Sequence, residues 1–547
     1  MRWHLNASTL RLTFLENCGM NLWLLLLGVV GLFTYIVLQR SVSNLTRTPV
    51  WLLWLVMMTP AFALMVWILI HGPNSPMPMG IMLLFFLLIF LVGVIYWWLV
   101  LLGRSGTPLP ADPNLKAEEA RIPTAEINPP IRPIDRDEEA ALQSCFPWTV
   151  FYLQNVEYRP QAIICRGQLR SNPEVAYKTI QENIEDQFGD RFLVVFQEGL
   201  NSKPFFALVP NPQSKSSGTV ETRPLHRPGL ALGLLGVTLL TTMAAGVEMG
   251  MTTTPTQFFN WPSPVAAQPL FVTLLATLHA FFSGVWAMLL HLSQGLPYAV
   301  TLMAILGTHE LAHYLTAQRY RIRATYPYFI PVPPAGIFPF GTFGAFIQMR
   351  SPVPHRKALF DVGIAGPLAG FIITLPVILW GFSQSTVIQL TPESSILNFD
   401  SFNPSASLLL ALLSKLALGS QLTVESAIKL HPVAVAGCLG VIVTALNLMP
   451  VGQLDGGHIV HAMFGQRTGA MIGQVARLLV LGLGLVRPEY LLWAILLFFM
   501  PVIDEPALND VSELDNRRDL WGLLSLVLLV IIVLPVPGAF TQFLFGT

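Results

Sequence analysis

Two histidines and a glutamate stand at metal-binding spacing inside an otherwise apolar stretch. The sequence GTHELAHYL places His309 and His313 four residues apart, with Glu310 beside the first. On a helix, residues four apart share one face, so both imidazoles can reach one metal ion while the glutamate serves as a base. Such polar groups are costly to bury in an apolar span without a function, so we predict a metal site. The alternative is a histidine pair that only hydrogen-bonds to neighbouring helices.

A third ligand must come from elsewhere in the chain, because hydrolytic zinc sites commonly use three protein ligands and leave the fourth position to water. The sequence NLMPVGQLDGGH is the best source. Asn447 ends an apolar run there, Pro450 breaks the helix, and Asp455 follows among glycines. A carboxylate beside flexible glycines can turn toward a metal ion. We therefore predict His309, His313 and Asp455 as the ligands of one Zn²⁺.

Other side chains compete for the role of third ligand. His458 and His461 follow Asp455 closely, and because histidine is a common metal ligand, either could substitute or assist. We expect His458 instead to make a structural hydrogen bond. Asp504 and Glu505 are acidic candidates too, but they open the polar stretch DEPALNDVSELDNRRD, which is typical of a solvated loop.

The composition indicates what kind of fold must hold these residues. Of 547 residues, 53% are hydrophobic and 11% are charged, whereas a soluble domain has roughly 25% charged residues. We therefore expect an integral membrane protein. Basic and acidic residues balance at 31 each, which gives no indication of a nucleic-acid partner. The four cysteines are widely spaced without a CxxC pair, so they favour neither a disulfide framework nor a thiolate zinc site.

Apolar runs of about 20 residues, long enough to cross a bilayer core about 30 Å thick, recur along the chain. They predict a mainly α-helical, polytopic bundle of about ten spans, the first of which is retained because no cleavable signal is evident. The run 270–292 is ambiguous, but keeping it out of the membrane puts most basic loops on one side, the cytoplasmic one. The predicted spans are Asn21–Leu38, Val50–Ile70, Gly80–Leu102, Gly229–Gly250, Leu296–Gln318, Ala358–Phe382, Pro432–Met449, Gly469–Val486, Glu489–Ile503 and Leu520–Leu534.

The order of the spans brings the two motifs to a similar depth in the membrane. One returning span separates the span of His309 from that of Asn447, so both run in the same direction. At 1.5 Å per residue, His313 and His309 would lie about 9 to 15 Å below the level of Arg319. We therefore expect the site inside the membrane, near its cytoplasmic face.

Two segments differ in character from the spans. The Pro- and charge-rich stretch up to about Glu139 is typical of an extended linker, and the apolar segments after it predict a small soluble α+β domain. After the HExxH helix, prolines and the sequence GTFGAFIQM predict a membrane-associated β segment whose free edge could hold an extended peptide; the alternative is a re-entrant loop that seals the cavity. The predicted division is an N-terminal three-span unit at 1–104, the linker at 105–139, the soluble domain at 140–227, the metal-binding membrane domain at 228–504, and a polar loop with a C-terminal span at 505–547.

The paired motifs HELAH and NLMPVGQLDG resemble the HExxH and NxxPxxxLDG hallmarks of the site-2 protease family of intramembrane zinc metalloproteases. GTFGAFIQMRSP and FDVGIAGPLAG extend the resemblance. RGQLR and FGDRF are similar to the plastid and cyanobacterial ethylene-dependent gravitropism-deficient and yellow-green branch, with Gln168 where asparagine is usual. The resemblance covers roughly Cys145 to Glu505. The roles it implies are zinc binding by His309, His313 and Asp455, general base for Glu310, and positioning of substrate or the oxyanion for Asn447.

This resemblance implies an intramembrane zinc endopeptidase that cuts membrane proteins in or near their transmembrane helices. Its partners would be a membrane-protein substrate and the lipid bilayer, with no nucleic acid, and an adaptor or a homo-oligomer stays open. The expected location is a plasma or thylakoid membrane of cyanobacterial type, or a chloroplast membrane. The alternative is a polytopic transporter or channel, or an inactive scaffold with a structural metal site, because many spans with intramembrane polar residues also suit transport. The soluble domain could act as a substrate filter.

Overall fold

A computed structural model gives the fold of most of the chain. It describes residues 48–71, 79–102, 134, 136–159, 162–199, 203–211, 227–250, 283, 291–332, 339–392, 394–396, 398–487 and 490–546, with a few isolated residues between 31 and 39. The predicted first span, most of the predicted linker and nearly all of the run 270–292 lie outside these residues. The chain divides into two compact units, Met1–Ile127 with Asn260–Phe282 and Asn128–Phe259 with Ser283–Thr547.

Two long apolar helices form most of the described part of the first unit. They are α1 (Val50–His71) and α2 (Met79–Leu102). The hydroxyl of Thr48 donates to the carbonyl oxygen of Leu99 at 2.8 Å, which ties the start of α1 to the end of α2. Large apolar side chains such as Trp51 and Trp98 are exposed on these helices. Helices that are apolar all round are typical of protein interiors or of membrane spans.

The second unit begins with a small α+β module. Its elements are α3 (Arg136–Ser144), β1 (Phe151–Arg159), β2 (Ala162–Leu169), α4 (Pro173–Phe188), β3 (Phe192–Glu198) and β4 (Pro204–Pro210). The strands form one antiparallel sheet in the order β1-β2-β4-β3. Alternate strand residues such as Phe151 and Phe206 pack against Ile180 and Ile184 of α4. The side chain of Asn172 caps α4 by accepting a hydrogen bond from the amide of residue 174.

The rest of the second unit is a helical bundle with two short strand pairs. Strands β5 and β6 pair with each other, as do β7 and β8, and both pairs are antiparallel. The elements are α5 (Pro228–Gly250), α6 (Leu296–Arg319), β5 (Tyr328–Pro331), β6 (Thr342–Phe346), α7 (Arg356–Ser383), β7 (Thr386–Gln389), α8 (Leu408–Leu418), β8 (Ser426–Lys429), α9 (Pro432–Leu448), α10 (Asp455–Phe464), α11 (Gln466–Val486), α12 (Leu491–Phe499), α13 (Asn516–Val533) and α14 (Gly538–Phe545).

Several described helices are long and apolar enough to cross a membrane. Four meet this criterion among the described residues: Val50–Trp67, Pro228–Val247, Arg356–Ser383 and Gln466–Val486. Helix α6 has the length of a span, at 24 residues, but contains the polar sequence THELAH. The expectation of a mainly helical protein is confirmed. The described residues contain four candidate membrane helices and small antiparallel sheets, whereas ten spans are not shown.

Two features of the bundle do not follow from the pattern of spans. Helix α8 has 11 residues, too few to cross a bilayer core. Strands β7 and β8 have four residues each and pair across α8. Because such short strands gain their hydrogen bonds only from a distant partner, no local sequence pattern marks them.

Candidate metal centre

Helix α6 presents His309 and His313 on one face, toward the interior of the bundle. Only 4% and 6% of their surfaces are exposed, and their Nε2 atoms lie 3.1 Å apart. The Nδ1 of His313 lies 2.8 Å from the carbonyl oxygen of Val362 on α7. Because a carbonyl oxygen only accepts, Nδ1 carries the proton, and the lone pair of Nε2 is left for a metal ion.

The second motif brings a carboxylate to the same point. A tight turn follows α9 and leads into α10, whose first residue is Asp455. The turn requires glycine at Gly452, where φ is +51° and an added Cβ would lie 1.9 Å from a backbone carbonyl oxygen. The Oδ2 atom of Asp455 lies 3.4 Å from Nε2 of His309 and 3.3 Å from Nε2 of His313.

These three atoms form a nearly equilateral triangle, with sides of 3.1, 3.3 and 3.4 Å. A tetrahedral zinc ion with bonds of about 2.0–2.1 Å has ligand–ligand edges of about 3.3 Å. Two imidazole nitrogens and one carboxylate oxygen also form a donor set of hydrolytic zinc enzymes, with the fourth position left to water. Among the described residues, this trio converges as a metal-binding group. The residues therefore fit one zinc ion.

The two remaining predicted site residues border this triangle. The Nδ2 atom of Asn447, near the end of α9, lies 3.0 Å from Nε2 of His309. Glu310 follows His309 on α6 and is half-buried. The backbone amide of Ile347, directly after β6, lies near its carboxyl group. The structure thus brings all five predicted residues to one place.

Two glycines of α7 allow the histidines their positions. An added Cβ on Gly366 would lie 2.0 Å from Nε2 of His313, and one on Gly370 would lie 3.3 Å from Cβ of His309. The first contact leaves no room for a methyl group. In the sequence, AGPLAG shows only the small-residue pattern of close helix packing. The contact of these glycines with the candidate ligands depends on how α7 packs against α6, so no local sequence pattern predicts it.

The competing ligands lie outside the triangle. The Nδ1 atoms of His458 and His461 lie 2.9 and 2.7 Å from Oδ2 of Asp504, so His458 makes the structural hydrogen bond expected of it. Glu505 is exposed, as predicted. The prediction of a solvated Asp504 is wrong, because this residue is only 7% exposed and contacts two histidines. These partners lie 46 and 43 residues away in the sequence, beyond the reach of a local pattern.

Comparison with protein families agrees with this geometry. The profile of peptidase family M50 matches residues 297–486, which contain both motifs. Residues 297–486 are an M50 peptidase segment. The resemblance to the site-2 protease family is thereby confirmed. The predicted enzyme class, a zinc metalloprotease, is confirmed as well. A second profile, the EGY3 middle domain, matches residues 140–216, the α+β module, which confirms the resemblance to the EGY branch.

Three plant proteins illustrate the similarity to that branch. This chain is 27% identical over 419 residues to probable zinc metalloprotease EGY1, chloroplastic, of Oryza sativa subsp. japonica, a match covering 73% of this chain and 68% of the relative. It is 27% identical over 403 residues to the EGY2 protein of Arabidopsis thaliana, covering 72% and 64%. For the Arabidopsis thaliana EGY1 protein, the identity is 28% over 389 residues, covering 69% and 66%. The chain thus spans about two thirds of the length of these relatives. No solved structure matches it significantly.

Proposed function

We propose that this M50 protein is an intramembrane zinc endopeptidase that hydrolyses peptide bonds in or near the transmembrane segments of other membrane proteins. The observation that supports this most is the triangle of His309, His313 and Asp455 atoms, whose sides of 3.1 to 3.4 Å are the edges of a tetrahedral zinc site. A general base and an amide donor lie beside it. A structural metal site would not need either group.

Each residue has a distinct role in this proposal. His309, His313 and Asp455 hold the ion, and zinc there supplies a Lewis acid that activates water and polarises the scissile carbonyl. Glu310 takes the proton of the attacking water and passes it to the leaving amine. The amide of Asn447 donates to the substrate carbonyl oxygen as negative charge develops there.

A helical substrate hides its peptide carbonyls in hydrogen bonds within the helix, so it must unwind before attack. Strand β6 ends next to Ile347, whose backbone amide lies near the carboxyl group of Glu310. Along one edge β6 pairs with β5, and its side chains Phe343 and Phe346 are exposed. We propose that an unwound substrate segment pairs along the other edge of β6, with its scissile bond at the metal centre.

We also propose a polytopic bundle of about ten spans in a membrane of cyanobacterial type, plasma or thylakoid, or in a chloroplast membrane. The candidate membrane helices and the relatives named chloroplastic support this location. The proposed partners are a membrane-protein substrate and the surrounding lipid, without nucleic acid. The α+β module is a candidate substrate filter, and its deletion should then alter substrate choice without removing the metal.

The test of this function is Glu310→Gln in purified protein in lipid. Removing a general base lowers turnover by about 10²- to 10⁴-fold, so cleavage of a helical membrane substrate should fall by that factor. Zinc content should not change, because Glu310 is not a ligand. Glu505→Gln, an exposed carboxylate, is the matched control and should cleave like the wild type. Unchanged cleavage by Glu310→Gln would falsify the proposal.

A transporter or channel is the second candidate, favoured by the candidate membrane helices and by polar residues within the bundle. It predicts solute flux into vesicles that survives Glu310→Gln. The pairing of HExxH with a converging aspartate favours the protease, since transport does not need a hydrolytic metal site.

A further inference from the structure

A buried ionic cluster lies near the C-terminal end of α10, the helix that begins with Asp455. His461 is only 1% exposed. Its Nδ1 lies 2.7 Å from Oδ2 of Asp504, and its Nε2 lies 3.0 and 3.1 Å from the two carboxylate oxygens of Asp510. Ionised carboxylates only accept hydrogen bonds, so both ring nitrogens carry protons. The side chain is an imidazolium held between two carboxylates, a charge-assisted arrangement.

Further hydrogen bonds tie the backbone around this ring to neighbouring helices. Arg356, buried at the start of α7, donates from Nη2 to the backbone carbonyl oxygen of His461 at 3.2 Å. Gln466, at the start of α11, donates from Nε2 to the backbone carbonyl oxygen of Asp504 at 2.9 Å. His458 also faces the Asp504 carboxylate. The C-terminal half of α10 is therefore bound on several sides.

The two carboxylates belong to residues 504–512, which we call the clasp segment. The amide of Phe196 on β3 donates to the carbonyl of Leu508 at 2.6 Å, and the amide of Asp510 donates back to the carbonyl of Phe196 at 2.9 Å. Two further clasp amides donate to backbone carbonyls just before α7 at 2.9 and 3.0 Å. The clasp segment thus makes a parallel bridge with β3 at the edge of the α+β module's sheet and connects this edge to α7 and α10.

We propose that His461 is a positioning residue for the metal centre, fixing α10 through the clasp segment so that Asp455 stays within reach of His309 and His313. This inference rests on the proposed function. Helix α10 has ten residues, about 15 Å at 1.5 Å per residue, and so moves as one short rod. Asp455 is its first residue, and His461 lies in its last turns. A displacement of the C-terminal end of α10, where His461 is held, therefore also moves the carboxylate of Asp455 at the N-terminal end.

The experiment compares charge-neutralising variants of the full-length protein in lipid. Asp504→Asn and Asp510→Asn keep the size of each side chain and remove its charge. Glu505→Gln, at an exposed position of the clasp segment, and Glu513→Gln, at an exposed position just after it, remove the same charge and serve as matched controls. Zinc affinity is measured by competition with a chelator, and the visible absorption of the Co²⁺-substituted protein reports the coordination geometry. Asp455→Ala, which removes a ligand, is the reference for loss of the site.

Groups that orient metal ligands typically change metal affinity by about 10- to 100-fold. We expect that loss, with a changed Co²⁺ spectrum, in Asp504→Asn and Asp510→Asn but not in the controls. Asp510→Glu, which restores the carboxylate, should recover part of the affinity. Wild-type affinity and spectrum in either monodisperse Asn variant would overturn the inference while leaving the proposed function standing. If Asp455→Ala also keeps its metal, the proposed function itself fails.

Discussion

The protonation of His313 is set by a backbone carbonyl rather than by a carboxylate. Val362 accepts the Nδ1 hydrogen, which leaves Nε2 to the metal, and Gly366 on the same helix makes room for that nitrogen. The HExxH spacing predicts which residues could bind the metal ion, but it does not predict which groups orient their imidazole rings. The candidate ligands were predictable because their types and spacing are chemical requirements, whereas Val362 acts through a backbone group that every residue type has.

Gly366→Ala tests whether α7 fixes the position of the His313 ring. The added methyl group would overlap Nε2 of His313 at 2.0 Å, so the histidine must move off the metal position. We expect zinc affinity to fall by about 10- to 100-fold, with a loss of stability of about 1–3 kcal/mol from overpacking. Gly482→Ala on α11 adds a methyl group with no atom within 4 Å and should change neither. Wild-type zinc binding by Gly366→Ala, measured by chelator competition, would contradict this reading of the site.

The His461 cluster predicts a pH dependence of stability. Burial alone would lower the pKa of His461, but the adjacent Asp504 and Asp510 raise it from 6.5 to about 9. A raised histidine pKa stabilises fully below the ordinary pKa, and this contribution is lost as pH rises through about 9. The Tm difference between the wild type and His461→Gln should therefore be largest below about pH 6.5, shrink as the pH rises from about 6.5 to about 9, and be lost above that. A difference that grows with pH would show that the ring is not held as an imidazolium.

The carboxylate of Asp504 determines how the stability of the cluster changes at acidic pH. Burial alone would raise the pKa of Asp504, but hydrogen bonds from His458 and His461 lower it below its usual range. A lowered carboxyl pKa stabilises above the ordinary value, and that contribution is lost only as pH falls through the depressed pKa. The cluster is therefore intact across the neutral range.

At the scale of helices, the sequence predicted the long apolar helices but not the short helices α8, α10 and α14. Helix α6 was expected at Leu296–Gln318 and runs Leu296–Arg319, because its apolar face and polar end are both local features. Helix α12 is shorter than expected, Leu491–Phe499 instead of Glu489–Ile503. The residue before a proline disfavours helical backbone, and Pro501 accordingly follows directly on the helix end at Met500.

Close packing of α7 against α9 sets the distance between the two motifs. An added Cβ on Gly437 would lie 2.8 Å from Cβ of Ile378, and one on Gly381 would lie 2.5 Å from the backbone of Ala434. Backbones approach this closely only where small residues stand between helices. These contacts depend on which faces meet, so the span pattern predicted the helices but not their separation.

Gly437→Val should separate α7 from α9 and draw Asn447 away from α6. Because interiors tolerate added volume poorly, we expect a loss of stability of about 1–3 kcal/mol and weaker zinc binding, measured by thermal unfolding and chelator competition. Gly236→Val on α5 places its side chain where no atom lies within 4 Å and controls for the substitution itself. Equal stability and zinc affinity in the two variants would rule out this packing role.

At the scale of the whole molecule, the module and the bundle belong to one compact unit, Asn128–Phe259 with Ser283–Thr547. The sequence predicted both parts from composition and periodicity. It did not predict their junction, where Phe196 pairs with the clasp segment, because backbone hydrogen bonds between distant segments leave no side-chain pattern. The prediction of a solvated loop after α12 was wrong for the same reason. The clasp segment is buried by contacts with the α+β module and with α10, which are distant in the sequence.

The central claim is that two distant motifs share one zinc ion, and metal analysis of purified protein tests it most directly. The wild type and Asp455→Ala are prepared side by side, and zinc per chain is measured by elemental analysis after dialysis against a weak chelator. We predict one zinc ion per chain in the wild type and its loss in Asp455→Ala, with Glu505→Gln like the wild type. Equal zinc content in the wild type and Asp455→Ala would contradict the claim.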